Sequence, residues 1–175
     1  MHKPHARIEH MAQSGTAART IPSSRFAWLM ALYAENFRRI QQVVDLAALD
    51  EGRWCSRGAD GLDLHVDVLA RHRYMLELRM SYAFADPATG LPEPSAYVRV
   101  YLDACQAEVT HCYVGQRWQD VLGTHPPAHA VFAHRLRMNT FLSKWLEHLR
   151  GAGHGGDWLP AEAAAGAWPV RACIA

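Results

Sequence analysis

The chain has 175 residues, half of them apolar and a fifth charged, with 18 Lys and Arg against 17 Asp and Glu. A single domain of this size buries roughly two-thirds of the surface its unfolded chain exposes, so neither a disulfide nor a metal is needed to hold it. The near balance of charge excludes a global field that would draw nucleic acid or an anionic membrane, and no stretch approaches the roughly 20 apolar residues of a spanning helix.

Residues 1–22 are rich in His, Ala, Ser, Thr and Arg without apolar periodicity, which predicts a flexible tail and no secretory leader. The cysteines, Cys55, Cys105, Cys112 and Cys173, contain no Cys-x-x-Cys pair. Reduced thiols in a cytoplasmic protein are therefore expected.

Ser23 or Ser24 can cap a helix that runs to about Leu46, because Phe26, Leu29, Tyr33, Phe37, Ile40 and Val44 recur at three- and four-residue steps. After the turn signal Asp60-Gly61, Leu62, Leu64, Val66 and Val68 alternate with polar residues, and Arg53 to Ser56 supply a preceding strand. Arg73 to Phe84 reads as a long half-buried strand, with Tyr74, Leu76, Leu78, Met80, Tyr82 and Phe84 on its apolar side. Three prolines and a glycine in residues 85–95 predict an irregular connection that can frame a site.

Residues 96–113 predict a hairpin. A two-residue turn at Ala104-Cys105 places Tyr101 opposite Glu108 and Asp103 opposite Gln106, with Arg99 diagonal to Glu108. Val98, Val100, Leu102, Ala107 and Val109, with His111 at the end, form its core row. A short helical turn over Arg117 to Leu122 is compatible with the pattern. After His125-Pro-Pro127, a helix from about Ala130 to Leu149 carries Met138, Phe141, Leu142, Trp145, Leu146 and Leu149 on one stripe and ends at Gly151. The Gly/Ala-rich residues 151–175 predict a second flexible tail, which Trp158 and Trp168 could anchor.

The result is an α+β domain over residues 23–150: an antiparallel sheet of four to five strands flanked on one face by an N-terminal and a C-terminal helix. Tyr97-Val-Arg-Val-Tyr-Leu-Asp-Ala104, Ala107-Glu-Val109 and Arg135-Leu-Arg-Met-Asn-Thr-Phe-Leu-Ser-Lys-Trp-Leu146 resemble the YqiB-like bacterial proteins, a domain family of unknown function. The resemblance covers most of residues 24–150 and implies a cytosolic bacterial protein without an assigned activity. Members of that family often carry an acidic residue followed by Lys ahead of the helical Asn. This chain has His134-Arg135 there, which argues against acid/base chemistry at that helix turn.

The candidate ligand-binding residues are Arg99, Tyr101, Asp103 and Glu108 on the polar face of the hairpin, with Arg135 and Asn139 at the edge of the last helix's apolar stripe. A cation, a phenol and carboxylates on one face suit a polar ligand. The same residues also suit ordinary cross-strand pairs, each contributing at most about 1 kcal/mol. Asn139 equally suits a structural bond to a strand end, and His134 suits packing in the buried stripe.

His129 and His134 are five apart, the wrong spacing for two ligands on one helix face, so no metal site is expected. No nucleotide loop or nucleophile elbow occurs, and no cofactor is expected. A non-enzymatic module binding a small polar ligand or a protein partner stands first. The alternatives are an enzyme for an anionic or phosphorylated molecule, with Arg99 as clamp and Asp103 or Glu108 as acid/base, and a homodimer formed through the same face.

Overall fold

The computed structural model describes residues 23–82, 95–111, 122–123, 125–156 and 158–161. The expected tails over 1–22 and 162–175, most of the proline-rich connection and nearly all of the expected turn at 117–122 lie outside the described residues.

Helix α1 (Ser23–Ile40) precedes strands β1 (Gly52–Arg57), β2 (Asp63–Arg71), β3 (Met75–Tyr82), β4 (Ser95–Tyr101) and β5 (Gln106–His111). Helix α2 (Ala128–Gly151) and a two-residue strand, β6 (Leu159–Pro160), follow. The strands form one six-stranded sheet in the order β5-β4-β3-β2-β1-β6, with every neighbouring pair antiparallel. The α+β class and the two flanking helices agree with the sequence reading, and β6 is an added strand.

Alternation sets the two faces. Val66 faces Met80, Leu78 faces Val98 and Val100 faces Ala107 across the strands, and all six are buried. They join Phe37 and Ile40 of α1 and Leu142, Trp145, Leu146 and Leu149 of α2 in one core. Burying an aliphatic side chain of this kind stabilises by about 1.5–3 kcal/mol, which makes this row the main source of stability. Phe26 and Phe141, which the helical stripes assign to the core, are exposed instead.

The helices run side by side in one direction. Asn36 meets Asn139, Arg39 meets Ser143 and Glu147, and Gln42 meets Arg150, so contacts advance together along both. Beyond the sheet, Leu29 and Tyr33 of α1 close with Phe132 of α2 into a second, smaller apolar cluster.

α1 stops at Ile40, short of the predicted Leu46. The chain continues in turns whose Val43, Val44, Leu46 and Leu49 are still buried. The Arg71 guanidinium donates to the carbonyls of Leu46, Ala47 and Leu49, which satisfies acceptors a helix would have paired internally.

Two further corrections follow from local geometry. The β4–β5 turn has four residues, so Tyr101 pairs with Gln106 and Arg99 with Glu108, two positions away from the two-residue register. The pairing then slips between Tyr97 and Val98, leaving Thr110 as an extra residue. That bulge turns His111 out of the core row and onto the polar face, where its ring stacks on Tyr97 at 3.9 Å.

The chain beyond α2 is not a free tail through residue 161. Gly153, at φ 87°, takes the left-handed position that closes the helix, with its N–H on the Arg150 carbonyl and the His154 N–H on the Leu149 carbonyl. This reversal buries His154 against Ser56 (Nδ1 to Oγ, 3.2 Å) and lets the Trp158 indole donate to the Val43 carbonyl at 3.2 Å. β6 then pairs with β1. Gly and Ala dominate the composition here, but two aromatic rings and one pair of ladder residues suffice to dock it.

Candidate functional site

The outward face of β3, β4 and β5 meets the N-terminal half of α2 around a cavity of about 480 Å³. Its polar wall is built by Glu77 of β3, Arg99 of β4, Glu108 of β5 and His134 and Arg135 of α2. Leu69, Leu122 and Val131 contribute an apolar side, and the Tyr97–His111 stack forms part of the floor. Leu69 reaches it because alternation along β2 puts it on the outward face with Asp67, where it is half exposed.

Each cation in this wall is matched to a carboxylate. Arg99 donates Nε and Nη2 to Glu77 Oε1 at 3.0 and 2.6 Å, and Arg135 donates Nη1 to Glu108 Oε2 at 3.1 Å. The Tyr101 hydroxyl donates to the other Glu108 oxygen at 2.9 Å. Glu108 is thus held at both oxygens. The register places Arg99 directly opposite Glu108 and Tyr101 diagonal to it, with the hydroxyl reaching back two residues.

The phenol of Tyr33 in α1 is buried beside this pair, within reach of Arg135 and Glu108 but in no well-formed hydrogen bond. Burial, reinforced by the negative charge of Glu108 and offset in part by Arg135, pushes it up to about 12. His134 is buried too, with its Nδ1 unpartnered. Burial lowers its affinity for a proton, and Arg137 and Arg135 lower it further.

Of the six residues singled out from sequence, the cavity wall takes Arg99, Glu108 and Arg135. Tyr101 stands behind them as a hydrogen-bond donor to Glu108. Asp103 does not join them: it lies exposed in the four-residue turn, and its carboxylate accepts the N–H of Ala104. The longer turn is the reason, since it removes Asp103 from the strand on which alternation had placed it.

Asn139 is fully buried and structural in its contacts. Its Oδ1 accepts the Val109 N–H at 3.0 Å, its Nδ2 donates to the Arg135 carbonyl at 2.8 Å, and Asn36 donates to its own carbonyl at 3.2 Å. The amide therefore ties both helices to the edge of β5 and fixes the backbone that carries Arg135.

Sequence reasoning passed over Glu77 and the Tyr97–His111 pair, while His134, expected to pack in the buried stripe, is buried and lines the cavity as well. Glu77 shares its face with Arg79 by simple alternation, but its opposition to Arg99 is a register fact between strands separated by a connection. Among the described residues no group of three or more His, Cys, Asp and Glu could hold a metal ion. No described helix is long and apolar enough to cross a membrane.

No curated protein and no solved structure matches the chain. One family does, over residues 39–155, a span that runs from the end of α1 through the docked His154 and includes every residue of the cavity's polar wall. On that match the chain belongs to the family described as Protein of unknown function (DUF1249).

Proposed function

We propose that this chain, a YqiB-like member of its family from the bacterial cytosol, is a non-enzymatic module that binds a small polar ligand in the cavity between α2 and the outward face of β3–β5. One observation carries the reading: Arg99, Glu108 and Arg135 converge on a concave space that also has an apolar side. Ordinary surface ion pairs lie on flat solvated faces, whereas ligand sites combine an apolar hollow with a few convergent polar groups. The volume of about 480 Å³ falls in the range of small-molecule sites.

An acid/base enzyme is less well supported. Both oxygens of Glu108 are engaged, and Asp103 is not part of the wall. A flat dimer face is likewise a poorer fit to a concave site.

Native mass spectrometry of the protein purified under mild conditions tests the proposal. The expected result is a stoichiometric small-molecule adduct that disappears in Arg99→Ala. An adduct retained in that variant, or none after incubation with a cytosolic metabolite extract, contradicts it.

A further inference from the structure

We infer, on the basis of the ligand-binding reading above, that the cavity selects a zwitterion: a free α-amino acid with an apolar side chain, its carboxylate on the guanidiniums and its ammonium on Glu77.

The charge arrangement of the wall carries this choice. Among the described residues that line the cavity, two guanidiniums face two carboxylates, Arg99 with Glu77 and Arg135 with Glu108. A phosphate or other multiply charged anion would meet both carboxylates, and a simple cation would meet both guanidiniums. A molecule with separated and opposite charges meets neither penalty, because it can offer each charge to the complementary partner.

Donors and acceptors remain for that exchange. A guanidinium carries five N–H donors. Glu77 takes two from Arg99 and Glu108 takes one from Arg135. Both bonds to Glu77 fall on Oε1, and among the described residues nothing donates to Oε2. Oε2 is thus available to an ammonium. Leu69, Leu122 and Val131 offer an apolar surface at the same cavity, suited to an aliphatic or aromatic side chain.

The alternation of opposite charges also bears on the alternative of an anionic or phosphorylated ligand. Sites for phosphate leave guanidiniums or backbone N–H groups uncompensated so that the ligand supplies the missing negative charge. Here each guanidinium already has its carboxylate.

Four forms of one molecule, alike in shape and different in charge, separate the possibilities. L-leucine is the zwitterion, N-acetyl-leucine the anion, leucinamide the cation and N-acetyl-leucinamide the neutral form, and inorganic phosphate serves as a small multivalent anion. Titrations of the full chain followed by amide NMR report both affinity and location. L-phenylalanine and L-methionine extend the zwitterion arm.

The expected result is that at least one amino acid shifts the amides of Arg99, Glu108, His134 and Arg135. It should bind at least tenfold more tightly than its N-acetyl or amide form. Glu77→Gln, confirmed folded by circular dichroism, should erase most of that preference by weakening the amino acid, while the N-acetyl form binds no less tightly than to the wild type. Tighter binding of N-acetyl-leucine or phosphate at these amides would overturn the zwitterion assignment and leave the cavity as a binding site. Equal binding of all four leucine forms would do the same. No shift at these amides from any probe overturns the assignment as well, while the adduct test above decides separately whether the cavity binds anything.

Discussion

Asn139 Oδ1 accepts the Val109 N–H at 3.0 Å, so a helix side chain occupies the position on β5 where a further strand would have paired. The sheet edge is closed by one amide, and the same amide holds the Arg135 carbonyl. Stability and site geometry meet at this residue.

Asn139→Ala leaves the buried Val109 N–H without an acceptor, while Asn36 keeps its bond to the backbone carbonyl of residue 139. One orphaned buried group costs about 1–3 kcal/mol, and a loss of that size is expected in urea unfolding. A loss below about 1 kcal/mol would mean that the edge is not held in this way.

Tyr33→Phe removes a buried hydroxyl set beside Arg135 and Glu108 without a well-formed hydrogen bond to either. Deleting an unsatisfied polar atom while keeping the ring predicts a change between neutral and about 1 kcal/mol of added stability. Marked destabilisation would show that the phenol is bonded in solution.

The buried imidazoles predict a dependence on pH. Burial lowers the proton affinity of His134 and of His154; at His154 the nearby Asp60 and Asp63 oppose the shift without reversing it. A histidine with a depressed folded value binds its proton more readily in the unfolded chain, so stability is complete above about pH 6.5 and falls as pH drops through the folded values. The melting temperature should therefore decrease between pH 7.5 and pH 5.5. His154→Asn should reduce that decrease; the same decrease in the variant would remove His154 from the account.

Cys55 is buried and its thiol is pushed up by that burial, with Asp63 adding to the effect, whereas Cys105 is exposed in the β4–β5 turn. Peptide mapping after brief iodoacetamide treatment of the native protein should find Cys105 modified and Cys55 protected. Rapid modification of Cys55 would contradict the packing of β1.

Much of the fold was legible because it rests on period. Alternation in Leu64–Val66–Val68 and Leu76–Leu78–Met80 chose the buried face correctly, and three- and four-residue spacing located both helices. What escaped was set by geometry that leaves little trace in residue type. The turn at Leu102–Cys105 holds no glycine; Cys105 takes the left-handed position at φ 51°. Nothing around Thr110 marks a bulge, yet that one residue moves His111 to the other face.

The site was legible in the same measure. Arg99, Glu108 and Arg135 could be named from face and helix phase. The pairing of Arg99 with Glu77 and of Arg135 with Glu108 depends on how β3 meets β4 and how α2 crosses the edge of β5. Those are tertiary relations, and no local pattern encodes them. Asp103 was misplaced for the converse reason, since a strand pattern was extended into a turn.

On the reading proposed above, the cavity walled by Arg99, Glu108 and Arg135 receives a small polar molecule. Thermal-shift screening of the wild-type chain and Arg99→Ala against one panel of amino acids and other cytosolic metabolites tests it most directly. The Arg99–Glu77 pair is more than a third exposed at both side chains, so the substitution itself should cost little stability. A ligand at about a hundred times its dissociation constant adds about 2.7 kcal/mol, which raises the melting temperature by roughly 5–10 °C in a chain of this length. The account predicts a rise of that size in the wild type and its loss in Arg99→Ala; equal rises in both proteins, or none across the panel, would contradict it.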